Sequence, residues 1–159
     1  MALRRINSVL MVVFALAFIS CESDAIYEET RTIANNEWMA EDVKSFDIPI
    51  EDTLSAHDLF IDLRTTTDYE YSNLYLFLYS DYPNGYSSKD TLEFILAKPD
   101  GEWYGENSGS VVEFRFLVSR GIFDKKGVYN FKVGHGMRDE PLKNVMDVGF
   151  RVELANLEN

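Results

Sequence analysis

Apolar residues alternate with polar ones through most of this chain, and the sharpest instance lies near its middle. Leu74, Leu76 and Leu78 alternate with Tyr75, Phe77 and Tyr79. Successive side chains of a strand point to opposite faces, so the pattern predicts a strand with one leucine face and one aromatic face. A strand apolar on both faces is central, covered on both sides or paired across an interface. Helix is the competing reading of so apolar a run, but the run is short, rich in aromatics and bounded by turn residues. Tyr82-Pro83-Asn84-Gly85 follows, where Asn and Gly accept positive φ. The polar stretch from Tyr86 to Lys89 lengthens that loop, and a return strand is predicted over Thr91 to Leu96, with Leu92, Phe94 and Leu96 on one face. Pro99-Asp100-Gly101 forces the next turn.

Similar alternation recurs on either side of this hairpin. An edge element is predicted near Tyr27 to Ile33. Phe46, Ile48 and Ile50 share one face of a strand that Pro49 confines to an edge or a bulge. His57 to Arg64 has Leu59, Ile61 and Leu63 on one face and Asp58, Asp62 and Arg64 on the other, the half-buried pattern of an antiparallel sheet. Further on, Val112, Phe114, Phe116 and Val118 mark a strand, and Tyr129, Phe131 and Val133 mark another. Met146, Val148, Phe150, Val152 and Leu154 line the last, where Gly149 suggests a bulge. Glu102 to Gly109 and Arg138 to Lys143 read as loops. With about seven or eight strands and no need for a long helix, the fold class is all-β, a single antiparallel β-sandwich, with a closed barrel as the runner-up.

The first residues follow a different rule. Arg4 and Arg5 precede an apolar run from Ile6 to Ile19 that is too short to span a bilayer comfortably. Phe18-Ile19-Ser20-Cys21 then has the form of a lipobox, although Phe18 and Ile19 depart from its usual Leu and small residue. Cys21 is the sole cysteine of the chain, which excludes an intramolecular disulfide and calls for another role in an exported protein. The expected organisation is a lipoprotein signal peptide over 1–20, a lipidated Cys21 with its tether over 21–36, and the β-sandwich over 37–155. Membrane attachment through acylated Cys21 follows from that reading.

Composition narrows the partners. Of the 159 residues, 46% are hydrophobic and 14% aromatic, enough for a packed core and too many for disorder. Loss of Arg4 and Arg5 with the signal peptide moves the formal charge from −12 to −14. So acidic a chain disfavours nucleic acid and anionic lipid surfaces as partners.

Candidate chemistry is sparse. His57 begins an exposed-edge pattern and His135 reads as a turn residue between two glycines, with no metal-ligand spacing about either. No nucleophile elbow or phosphate-cradling loop is present. Asp58 and Asp62 share a strand face but stand roughly 13 Å apart at strand rise, beyond the separation of a glycosidase pair. Asp100, Glu102, Glu106 and Asn107 lack the calcium-loop pattern. No cofactor, metal or catalytic residue is expected, so the chain reads as a non-enzyme. Trp103 and Tyr104, with Asp100 beside them, are candidate partner or ligand contacts, because Trp and Tyr dominate binding hot spots. Trp103 reads equally well as a lid on the core. Tyr69, Tyr71, Tyr75 and Tyr79 form a strip that is either core with wet hydroxyls or an exposed patch.

Several short segments resemble one family in combination. They are Ser72-Asn73-Leu74-Tyr75-Leu76, Tyr82-Pro83-Asn84-Gly85, Lys89-Asp90-Thr91-Leu92-Glu93 and Ala97-Lys98-Pro99-Asp100-Gly101-Glu102-Trp103. His135-Gly136-Met137-Arg138 and Val145-Met146-Asp147-Val148-Gly149-Phe150-Arg151-Val152-Glu153 complete the set. Together they resemble the GldH gliding-motility lipoproteins of the Bacteroidetes. The resemblance implies an envelope lipoprotein, lipid-anchored in the outer membrane and serving gliding motility or the linked type IX secretion machinery as a non-catalytic accessory or scaffold. It implies no cofactor, and envelope proteins of that machinery as partners. The alternative is a glycan- or small-ligand-binding sandwich that uses the Trp103 loop.

Overall fold

The computed structural model describes residues 25–156. In chain order its strands are β1 (Ala25–Thr32), β2 (Glu37–Trp38), β3 (Lys44–Ile50), β4 (Ala56–Thr66), β5 (Asn73–Asp81), β6 (Ser87–Ile95), β7 (Glu106–Ser108), β8 (Val111–Ile122), β9 (Gly127–His135), β10 (Leu142–Lys143) and β11 (Val145–Leu154). They form a five-stranded sheet in the order β1-β11-β4-β8-β7 and a four-stranded sheet in the order β3-β9-β5-β6, with β10 and β2 as a short separate ribbon. Every pairing is antiparallel. The chain is an all-β sandwich, as the alternation predicts. The sandwich includes β1, ahead of residue 37, because β1 pairs along β11 through Tyr27 to Thr32.

The two sheets meet through the faces that the alternation picked out. Leu74, Leu76 and Leu78 of β5 are buried, as are Phe46, Ile48 and Ile50 of β3 and Leu59, Ile61 and Leu63 of β4. Pro49 lies in β3, at a sheet edge where its missing N–H costs no ladder bond. At the centre Phe150 of β11 stacks on Phe131 of β9, ring centroids 4.8 Å apart, and meets Phe46 at 5.7 Å.

Several segments depart from the expectation. The return strand starts at Ser87, so Ser87 to Lys89, expected as loop, are strand: β6 is a sheet edge with its polar side chains in water. Glu106 to Ser108 pair with β8 for the same reason. The irregularity in β11 falls at Met146 and not at Gly149. Val145 sits opposite Thr65 and Asp147 opposite Arg64, so Met146 is the extra residue and Val145 takes the core position. Gly149 instead lies where β1 and β4 crowd β11: an added Cβ would stand 3.1 Å from Thr30 Oγ1 and 3.3 Å from Asp62 Cβ. Leu154 is exposed at the strand end.

Phe150→Ala removes the ring that joins the two sheets. Urea unfolding is expected to show a loss of about 3–5 kcal/mol, with the protein still folded if its starting stability is typical.

Candidate interaction surface

Cys21 lies outside the described residues. The three expected contact residues sit in one turn between β6 and β7, but they do not face the same way. Lys98 N–H donates to the Glu102 carbonyl at 2.8 Å, Gly101 N–H to the Lys98 carbonyl at 2.9 Å, and Tyr104 N–H to the Leu96 carbonyl at 2.8 Å. The Asp100 carboxylate accepts the Glu102 amide at 3.1 Å and so shapes the turn. Trp103 is packed against the core, edge-on to Phe114 with centroids 6.3 Å apart. Gly105 permits this approach, since a Cβ there would lie 2.4 Å from the Glu113 carbonyl oxygen and 2.7 Å from the Phe114 ring. Tyr104 faces water at 60% exposure, with the Lys98 ammonium 5.8 Å from its ring centroid.

The tyrosine strip divides. Tyr69 is buried and its hydroxyl donates to the Asn73 carbonyl at 3.1 Å. Tyr71 donates to Asp139 at 2.5 Å on an end loop. Tyr75 and Tyr79 flank Phe77 on the outer face of the four-stranded sheet, where all three are half-buried. Lys89 crosses this row, its ammonium 4.2 Å from the Phe77 centroid and 5.0 Å from that of Tyr79, within cation–π range. Gly134 stands opposite Phe77, and Gly136 donates its N–H to the Tyr75 carbonyl at 2.7 Å. A Cβ on Gly136 would meet the Phe77 ring at 3.2 Å. Gly136 thus leaves the Phe77 ring room to lie along the sheet. Glu93 holds the Tyr75 hydroxyl, which raises the phenol's pKa, and accepts from Asn73 Nδ2 at 2.8 Å. The result is a flat aromatic strip with fixed charges beside it. The aromatic row is visible in the alternation; Lys89 and the glycines are not, because Lys89 reads as loop and the glycines as a turn about His135.

The outer face of the five-stranded sheet is charged and internally paired. Arg115 Nε and Nη2 bind Asp62 at 2.7 and 2.9 Å. Arg120 Nε and Nη2 bind Asp58 at 2.5 and 2.7 Å. Arg64 grips Asp147 across β4 and β11, and Arg151 reaches Glu28 on β1. Asp58 and Asp62 are therefore each engaged by an arginine. Hydrogen bonding to Arg120, opposed by burial, holds the Asp58 carboxyl below its usual range.

Both histidines are core residues, contrary to expectation. β4 is the middle strand of its sheet, so His57 is buried, edge-on to Phe123 at 5.1 Å. His135 ends β9 beneath Trp38, at 5.6 Å, with Nε2 3.8 Å from Glu140. Burial lowers its pKa against the opposing pull of Glu140. Among the described residues, no three His, Cys, Asp or Glu side chains are grouped so as to hold a metal ion.

Fold and surface together define an antiparallel β-sandwich with one charged, self-paired face and one aromatic face. The chain belongs to the GldH lipoprotein family, whose profile matches residues 25–152. It is 34% identical to a gliding motility lipoprotein GldH homolog of Christiangramia forsetii, over 97% of this chain and 99% of that one. It is 29% identical to the gliding motility lipoprotein GldH of Flavobacterium johnsoniae, over 92% and 96%. Among solved structures, a family GH115 4-O-methyl-α-glucuronidase with specificity for decorated arabinogalactans aligns at a TM-score of 0.45 and 9% identity, over 86% of this chain and 18% of the enzyme. Likeness at that level shows neither shared family nor shared activity.

The Asp58–Arg120 pair gives a pH test. A carboxyl depressed in the folded state adds stability above its unfolded pKa of about 3.9 and loses it as pH falls through the lower folded value. Denaturation midpoints are expected to drop on acidification below about pH 4, and Asp58→Asn is expected to be less stable at neutral pH with a flatter acid limb.

Proposed function

We propose that this chain is a lipid-anchored envelope protein that serves gliding motility, or the linked type IX secretion machinery, as a non-catalytic accessory or scaffold. Acylated Cys21 holds it to the membrane, most naturally the outer membrane, and the aromatic face of the four-stranded sheet docks another envelope protein. Family membership and the gliding-motility names of two full-length relatives support the process.

The observation that carries the docking role is the half-buried row Tyr75, Phe77 and Tyr79 on the outer face of β5. Aromatic side chains are favoured anchors at protein interfaces, and this row needs no rearrangement to be presented. The opposite sheet offers little by comparison, since its arginines are already bound to carboxylates. Glycan binding through the 100–105 turn is the weaker reading. Trp103, the best stacking platform, is turned into the body, which leaves Tyr104 alone in water.

Crosslinked pull-down from envelope fractions tests the proposal. The wild-type chain is expected to bring down gliding or secretion components. Phe77→Ala with Tyr79→Ala is expected to lose them while keeping the same thermal midpoint within a few degrees, and Cys21→Ala to lose them with membrane attachment. Equal recovery by the Phe77/Tyr79 variant would remove the docking face, and glycan-uptake proteins alone would favour the second reading.

A further inference from the structure

Exposed apolar side chains gather at the two ends of the sandwich, with Met39, Val43, Ile95 and Tyr104 at one and a larger set at the other. The strand registers place Ala25 beside Glu153, Leu154 beside His57, and Ala56 beside Ile122, so the start of β1 and the ends of β8 and β11 share one end of the five-stranded sheet. The loops 51–55, 82–86 and 123–126 close the same end. Lys126 Nζ lies 3.8 Å from Glu51, and a Cβ on Gly127 would touch Pro83 at 3.0 Å. Ile26, Leu54, Tyr86, Ile122, Val128 and Leu154 lie in the strand ends and loops here, each at least half exposed. Leu54 is 87% exposed, and it is presented by a built turn: the Asp52 carboxylate accepts the Leu54 amide at 2.8 Å and the Ser55 amide at 3.1 Å.

Two observations say what covers this end. The first is the length of chain outside the structure. Cys21 precedes Ala25 by four positions, and a segment of that length reaches at most about 14 Å even when fully extended. The end of a five-stranded sheet measures about 19 Å across, so an acyl chain on Cys21 enters its bilayer within the footprint of these side chains. The second is the chemistry of the end itself: Leu54, Tyr86, Ile122 and Leu154 are exposed there, side chains that a bilayer interface accepts, and Lys125 and Lys126 stand among Glu51, Asp52 and Asp124.

We infer that the Ala25 end of the sandwich, with Leu54 and Ile122 foremost, rests on the lipid surface and inserts its apolar side chains at the headgroup boundary. The strands then stand away from the membrane, and both sheet faces point sideways. The inference rests on acylation of Cys21 and adds a second, orienting contact to it.

The test uses the acylated full chain on phosphatidylcholine–phosphatidylethanolamine vesicles. An environment-sensitive fluorophore is placed on the thiol of Leu54→Cys or, at the far end, of Tyr104→Cys; both positions are exposed, and Cys21 itself is blocked by its lipid. The inference expects a blue-shifted Leu54→Cys signal that shallow spin-labelled lipid quenches, and an unshifted, unquenched Tyr104→Cys signal. Equal signals at the two positions in vesicle-bound protein would overturn end-on docking and leave the lipid anchor standing. A mature chain whose mass shows no acyl group on Cys21 would overturn both.

Discussion

The contact between Phe150 and the pair Phe131 and Phe46 is what makes two sheets one domain. β11 belongs to the five-stranded sheet, and β9 and β3 belong to the four-stranded sheet. Their rings meet with centroids 4.8 and 5.7 Å apart, and the Arg31 guanidinium lies 5.6 Å from the Phe46 centroid at the β1–β3 side. Once these rings fix which face of each sheet is inside, the period of two fixes every other assignment. The leucines of β5 must point in, so Tyr75, Phe77 and Tyr79 must point out. Asp58, Asp62, Arg64 and Asp147 must share the opposite outer face, where antiparallel pairing sets each acid near an arginine.

That constraint divides the surface by function. The charged face satisfies itself, which suits a sheet whose central strands β11 and β4 would otherwise expose many carboxylates. Arg151 and Asp147 are buried there despite their charge because cross-strand partners cover them. On the aromatic face Lys89 lies across the row, and Lys132 stands opposite Tyr79 and pairs with Asp81. On the proposed reading the apolar end near Ala25 meets the membrane, so that the protein is held at one end and contacted from one side.

Much of this was legible in the sequence where one face is buried and the other is not. Leu59, Ile61 and Leu63, and Phe46, Ile48 and Ile50, announce their strands because burial writes the alternation. Pro49 announces an edge because it cannot donate. Edge strands exposed on both sides leave no such trace, which is why Ser87 to Lys89 and Glu106 to Ser108 read as loop. Met146 and Gly149 exchange roles for a related reason: where the extra residue sits depends on the register with β4, which only the partner strand reveals. His57 and His135 read as surface residues because their own neighbours are polar or glycine, while their burial comes from Phe123 and Trp38, distant in sequence. Of the contact candidates, the aromatic alternation in β5 was readable, but the inward turn of Trp103 depends on the space that Gly105 leaves against β8.

The central claim is that the outer face of β5 is a docking surface in the envelope, and hydroxyl-radical footprinting reads it directly. In the purified chain Tyr75, Phe77 and Tyr79 are expected to oxidise readily, while buried Tyr69 and Phe150 do not. In intact envelopes the account predicts protection of that trio with Tyr104 still reactive. Oxidation of Tyr75, Phe77 and Tyr79 to the same extent in envelopes as in the purified protein would contradict it.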